Sequence, residues 1–211
     1  MNHIPVMLDV SNRKVVIIGG GKIAARKATS LMPHCSNIIA VSAEFSDHFS
    51  RLPLQNIVTR IEDIDLNTVI DNNTLVIIAT DDPIMNQYVE DLCVSRGILY
   101  NRVDDKSSPI IFPAQFDSKG VTVAVSTHGR SPSFAHFLKD ILYKKAEGYI
   151  KALPVVERLR KDISIRDIEL KGNFFRILFD DRKFWNLIAS GEFEEAYSLG
   201  MELSRNYSGV L

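Results

Sequence analysis

The stretch Val15-Val16-Ile17-Ile18-Gly19-Gly20-Gly21-Lys22-Ile23-Ala24 decides the fold class. Four consecutive β-branched residues read as a short strand buried on both faces, the pattern of a parallel sheet. Glycines follow at once. From Lys22 to Met32 the residues Ala24, Ala28, Leu31 and Met32 recur near helical spacing, until Pro33 stops the run. Gly19, Gly21 and Ala24 fit the spacing G-x-G-x-x-[GA]. In that fingerprint the first glycine permits a tight turn. The second lets the backbone approach a pyrophosphate, and the small third residue lets helix and strand pack closely. The helix start adds free N–H groups and the positive end of its dipole. Glycine turns are common, so a strand-to-helix turn without a ligand competes with this reading. The buried strand before and the helix after favour a dinucleotide site made of Gly19, Gly20, Gly21, Lys22, Ile23 and Ala24.

Outward from the loop, strands and helices alternate. Ile38-Ile39-Ala40-Val41 reads as a second strand, Ile57-Val58 as part of a weaker third and Leu75-Val76-Ile77-Ile78-Ala79 as a strong fourth. Asp82 caps, and Pro83 opens, a helix running to about Ser95. Ile98-Leu99-Tyr100 is a fifth strand. This alternation implies crossover units and a Rossmann-type parallel α/β sheet over residues 1–108. A ribose anchor belongs at the end of the second strand, where Ser42 and Glu44 are candidates. No arginine sits there to meet a 2′-phosphate, which tilts the expected cofactor towards NAD.

After Asp105 the pattern changes. Ile110 to Phe116 and Val121 to Ser126 read as strands of a hairpin joined by Asp117-Ser118-Lys119-Gly120. A lone hairpin is marginal in water and must pack on something. Ser131-Pro132 reads as a helix start, and the rest of the chain as helices broken near Pro154, Gly172 and Gly191. The apolar and aromatic run from Phe174 to Phe179 and from Phe184 to Ile188 reads as helical core or a subunit contact, in preference to a stacking platform for a macrocycle.

The 211 residues carry 25 basic and 26 acidic side chains, a net charge of -1, which argues against a nucleic-acid binder. No apolar run approaches the roughly 20 residues needed to cross a bilayer, and Met1-Asn2-His3-Ile4-Pro5 does not read as a secretion signal. Two cysteines without a CxxC pair, Cys35 and Cys93, suggest a reducing cytoplasm and small apolar packing rather than a catalytic thiol.

Five motifs in order carry a more specific likeness. Ile4-Pro5-Val6-Met7-Leu8-Asp9 looks like a lead-in strand, and Gly19 to Lys27 like a GGGxVAxRK loop and helix start. Ala79-Thr80-Asp81-Asp82 with Asn86 matches ATDD…N, and Asn101-Arg102-Val103-Asp104 matches NVVD with Arg102 for a valine. Val123 to Pro132 is similar to VAVSSGGxSP, with Thr127 for a serine and His128 for a glycine. The chain thus resembles the precorrin-2 dehydrogenase family of siroheme-synthase N-terminal type, over nearly its whole length and more thinly after about residue 150.

That resemblance implies NAD-dependent oxidation of precorrin-2 to sirohydrochlorin by a homodimer. Residues 109–148 would be the dimerisation region of hairpin and helix, and residues 149–211 a small helical domain. It adds Thr80 and Asp81 to the cofactor-binding set and makes Asp104 the key carboxylate. The physical reading agrees, because Asp104 follows the fifth strand at the end where parallel sheets bind ligands, and a carboxylate there could act as general base. A plain Asp104-Asp105 turn is the alternative. The implied tetrapyrrole substrate carries many carboxylates, so Arg102, Lys106 and Arg130 are candidate contacts, with ordinary surface charge as the alternative. Ser126, Thr127 and His128 complete the candidate substrate set. His128 brings an imidazole that could bind a carboxylate, ligate iron or lie on the surface. His128 and His136 are eight apart, so no dedicated metal site is expected. Some members also insert Fe²⁺ into sirohydrochlorin, and longer ones carry a fused methyltransferase for which this chain ends too early. Dehydrogenation alone, dehydrogenation with ferrochelation, and a non-catalytic NAD or tetrapyrrole sensor or carrier remain open at this point.

Overall fold

The run Val15 to Ile18 lies at the centre of a five-stranded parallel sheet in a computed structural model that describes residues 3–105 and 107–207. Strand β1 (Lys14–Ile18) pairs on one side with β2 (Ile38–Ser42) and on the other with β4 (Thr74–Ile78). The sheet ends in β3 (Gln55–Val58) beside β2 and β5 (Leu99–Arg102) beside β4, giving the order β3-β2-β1-β4-β5. Successive side chains of β1 go to opposite faces. Val15 and Ile17 pack with Ala24, Ala25 and Ala28 of α1 (Lys22–Leu31) and Phe49 of α2 (Asp47–Ser50). Val16 and Ile18 pack with Val89 and Cys93 of α3 (Pro83–Arg96) and with Leu66 and Ile70. Each fully buried side chain of this size contributes about 1.5–3 kcal/mol, which is why an uninterrupted apolar run suits a strand covered on both sides.

Local signals set the helix ends. The Asp82 carboxylate accepts from the backbone N–H groups of Ile84 and Met85, Pro83 occupies the first turn of α3, and Gly97 closes the helix in the left-handed region. Cys35 and Cys93 are buried free thiols, and burial pushes the Cys93 thiol up to about 12.

The chain forms two compact units, residues 1–112 and 113–211. In the second, β6 (Ala114–Ser118) and β7 (Val121–Val125) form an antiparallel hairpin. Its two-residue turn, Lys119-Gly120, has both φ angles positive (48° and 85°), as a type I′ turn requires. The first hairpin strand starts four residues later than the expected Ile110. Ile110 is instead held to the first unit: its carbonyl accepts from Asn101 Nδ2 at 2.8 Å, and Ile110 and Phe112 pack on that unit's core.

Helix α4 (Pro132–Ile150) lies against both hairpin strands and starts at Ser131, whose hydroxyl accepts from Phe134 N–H. It is followed by α5 (Leu153–Asp162), α6 (Ile168–Asp180), α7 (Arg182–Ser190) and α8 (Phe193–Asn206). Pro154 sits in the first turn of α5, and Gly191 ends α7 with φ 84°. Gly172 does not break a helix; it lies inside α6, and the break falls upstream, where Asp167 caps Leu170 N–H. An interior glycine costs about 1 kcal/mol against alanine, which burial of Phe174 and Leu178 in the same helix outweighs. Those two, with Leu159, Phe184 and Ile188, are the buried core of this unit, so the aromatic run is core, while Ile177 and Phe179 face outward. Among the described residues no helix is long and apolar enough to cross a membrane.

Candidate active site

The loops that follow β1 and β4 meet where the order of strands reverses, the place where open α/β sheets bind ligands. The three glycines differ in what surrounds them. Gly19 has φ +119°, and a Cβ there would lie 2.4 Å from the Ala79 carbonyl oxygen. A Cβ on Gly20 would lie 2.1 Å from the Glu44 carbonyl oxygen and 2.9 Å from Ser42 Oγ. A Cβ on Gly21 would meet nothing within 4 Å. Gly19 and Gly20 are therefore packing requirements, and Gly21 leaves an open face at the start of α1. Gly21 is also the residue that caps α1, and no side chain occupies that cap. Lys22 and Ile23 are exposed in the first turn, whereas Ala24 and Ala25 are buried under the sheet. An open cradle at an uncapped helix start fits a pyrophosphate. Ser42 ends β2 beside Gly20, and its hydroxyl donates to the Glu44 carbonyl at 2.7 Å.

Across the sheet, one polar network joins the β4 loop to the end of β5. The Thr80 hydroxyl donates to Asn86 Oδ1 at 2.6 Å and accepts from Asp82 N–H at 3.1 Å; Asp81 beside it is exposed. Asn86, buried on α3, donates through Nδ2 to the Thr80 carbonyl and to Asp104 Oδ2, both at 3.2 Å. Arg102 grips Asp104 with two bonds, Nε to Oδ1 at 2.9 Å and Nη2 to Oδ2 at 3.2 Å. Its Nη1 donates to Glu90 Oε2 at 2.6 Å and Gln87 Oε1 at 2.7 Å, and Tyr100 donates to the other Glu90 oxygen at 2.7 Å.

The electrostatics follow from these contacts. The Arg102 guanidinium, and after it the Asn86 amide, holds the Asp104 carboxyl below the usual carboxylate range despite partial burial. Burial, together with the bond to Glu90, pushes the Tyr100 phenol up. Asp104 keeps 39% of its side chain exposed, so it is an ionised acceptor with an open edge. Arg102, expected at a substrate pocket, has only 12% of its side chain exposed and points at Asp104, Glu90 and Gln87. Asp105 folds back onto Ser107.

The remaining candidates lie together in the loop between β7 and α4. Ser126 Oγ accepts from His128 N–H at 3.1 Å. The Thr127 hydroxyl exchanges hydrogen bonds with the Ser131 carbonyl and N–H, both at 3.0 Å. Arg130 Nε donates to the Thr127 carbonyl at 3.3 Å. His128 is exposed and has φ +50°, the left-handed conformation that explains a glycine in the family pattern. Lys106 lies outside the described residues. Among those residues, no group of three or more His, Cys, Asp or Glu side chains is arranged to hold a metal ion. Sequence reading did not single out Gln87, Glu90 and Tyr100. The available signal was the i, i+4 spacing of Asn86 and Glu90, which puts both on one face of α3.

A family model described as "Putative NAD(P)-binding" matches residues 6–114, more than half of the chain. The chain belongs to this NAD(P)-binding family. This family member is 30% identical over 214 residues to the siroheme synthase of Mannheimia succiniciproducens, a match that covers 99% of the chain and 45% of the relative. It is 30% identical over 202 residues to the siroheme synthase of Blochmanniella pennsylvanica, covering 93% of the chain and 42% of the relative. The chain thus spans less than half the length of the curated relatives it matches. Among solved structures, one titled "SirC, precorrin-2 dehydrogenase" superposes with a TM-score of 0.71 at 22% identity, covering 93% of this chain and 99% of that one. The resemblance to the siroheme-synthase N-terminal type, read from five motifs, is borne out, and so is the fold.

Proposed function

We propose that the chain oxidises precorrin-2 to sirohydrochlorin, with NAD as hydride acceptor and Asp104 as general base. The observation that carries this reading is the Asn86 bridge. One buried amide ties Asp104 at the end of β5 to Thr80 in the loop that backs the glycine cradle. Likeness to proteins named siroheme synthase and precorrin-2 dehydrogenase supports the choice of substrate.

In this reading the backbone from Gly19 to Ala24 holds the pyrophosphate, Ser42 meets the ribose, and Thr80 and Asp81 flank the rest of the dinucleotide. When bound, the nicotinamide supplies the hydride acceptor. Asp104 removes the proton that leaves with the hydride; its low pKa keeps it ionised at neutral pH. Ser126, Thr127, His128 and Arg130 recognise the carboxylates of the substrate. A homodimer through residues 109–148 is supported by the two-stranded hairpin sheet and by Phe134 and Phe137, each more than half exposed on α4. A closing helical domain from 149 to 211 and a cytoplasmic location complete the proposal; two buried free thiols suit a reducing compartment.

The test is anaerobic incubation with precorrin-2 and either NAD⁺ or NADP⁺, followed by absorbance. NADH and sirohydrochlorin should appear together, and Asp104→Ala should lose the rate while keeping its affinity for NAD⁺. Tight NAD⁺ binding with no oxidation of precorrin-2 would refute the reading and leave a sensor or carrier.

A further inference from the structure

The Arg102 guanidinium does not face an open pocket. It is a junction between three acceptors: Asp104 at the end of its own strand, and Glu90 and Gln87 on α3. Planar fork donors fix a carboxylate in orientation as well as charge, so the paired bonds to Asp104 define where its free edge points. Two contacts from α3, at 2.6 and 2.7 Å, hold the fork from behind. The backbone N–H of Arg102 donates to Ser108 Oγ at 2.8 Å, which fixes the root of the side chain as well.

We infer that Arg102 is a positioning residue for Asp104, fixing the direction of its carboxylate and supplying the charge beside it. The inference rests on Asp104 acting as the base. The motif that Asn101 to Asp104 resembles has valine at this position, a side chain that could neither grip nor charge-pair with Asp104. Arg102 acts through Asp104 and α3 rather than on the substrate.

All the charged and titratable groups around the pair bear on the sign. Asp104 faces the Arg102 cation from β5 and the neutral Asn86 amide from α3. Glu90 from α3 shares that cation and also receives the Tyr100 hydroxyl, and Asp105 follows next in the chain. Removing the cation takes the Arg102 counter-charge from three carboxylates, Asp104, Glu90 and Asp105, so the proton affinity of Asp104 must rise. Lysine at 102 would keep the charge but lose the fork.

The test follows the Asp104 carboxyl directly, by ¹³C NMR of carboxyl-labelled aspartate titrated in the wild type and assigned with Asp104→Asn. In the wild type its midpoint should lie below the ordinary value near 3.8. Arg102→Val raises the midpoint by about 1 pH unit or more, a tenfold change in proton affinity, and Arg102→Lys falls between the two. In turnover, the acid limb of kcat moves up with the carboxyl while KM for NAD⁺ stays in place. A wild-type midpoint at or above the ordinary value overturns the inference even if Arg102→Val fails to fold. So does a midpoint unmoved in a folded Arg102→Val. A wild type that never oxidises precorrin-2 overturns the assignment of Asp104 as base instead, and the NMR midpoints keep the two failures apart.

Discussion

Replacing each loop glycine by alanine should separate stability from cofactor binding. At Gly21 the new Cβ meets nothing within 4 Å, and φ -80° and ψ -174° are open to any residue. Alanine there gains about 0.4–1 kcal/mol by restricting the unfolded chain. It loses a similar amount because alanine caps a helix less well than glycine. Gly21→Ala should therefore melt close to the wild type, with the two effects cancelling to within about 1 kcal/mol. The same methyl projects into the open face proposed for the pyrophosphate, so NAD⁺ affinity should fall tenfold or more, about 1.4 kcal/mol. At Gly19 the balance reverses. The φ of +119° and a contact of 2.4 Å with the Ala79 carbonyl force strain on a central strand loop. A sparsely allowed backbone costs about 1–3 kcal/mol before the clash is counted, so roughly 3 kcal/mol or more is expected, a melting loss of about 10 °C. The assays are thermal unfolding without ligand and calorimetric titration with NAD⁺. If Gly21→Ala binds NAD⁺ within twofold of the wild type, the pyrophosphate does not lie on that face. If it melts as early as Gly19→Ala, the open space around Gly21 is illusory.

Two further outcomes can be checked on the folded protein alone. His128→Gly should stabilise the chain by about 0.5 kcal/mol in urea unfolding, because relief of an L-residue at φ +50° outweighs the extra freedom that glycine gives the unfolded chain; a clear loss of stability would contradict the strain. Lys27 lies with its ammonium 3.9 Å from the centre of the Phe112 ring, and burial lowers its pKa from 10.5 to about 8. The folded pKa is the lower one, so the burial penalty is complete below pH 8. It is relieved as pH rises from about 8 to 10.5, where the unfolded chain still holds the proton. Stability should climb across that window in the wild type and stay level in Lys27→Met; parallel pH curves for the two proteins would contradict the burial.

The sequence by itself determined the parallel sheet, its glycine loop and the family. These features are written in short windows: four β-branched residues for a two-faced strand, glycine spacing for the turn, and Asp82 and Ser131 as caps reaching three residues ahead. Its motifs also put Asp104 at the correct end of β5. Only the tertiary structure decided what depends on distant partners. Gly20 is required because the Glu44 carbonyl arrives from beyond β2, outside the reach of the loop fingerprint. Gly172 stays helical because its neighbours Phe174 and Leu178 are buried in a core they share with α5, α7 and α8. Arg102 turns inward because Glu90 and Gln87 approach from α3. Backbone conformation answers to neighbours within a turn or two, whereas the direction of a long charged side chain is set by whichever acceptors the packed helices bring within about 3 Å.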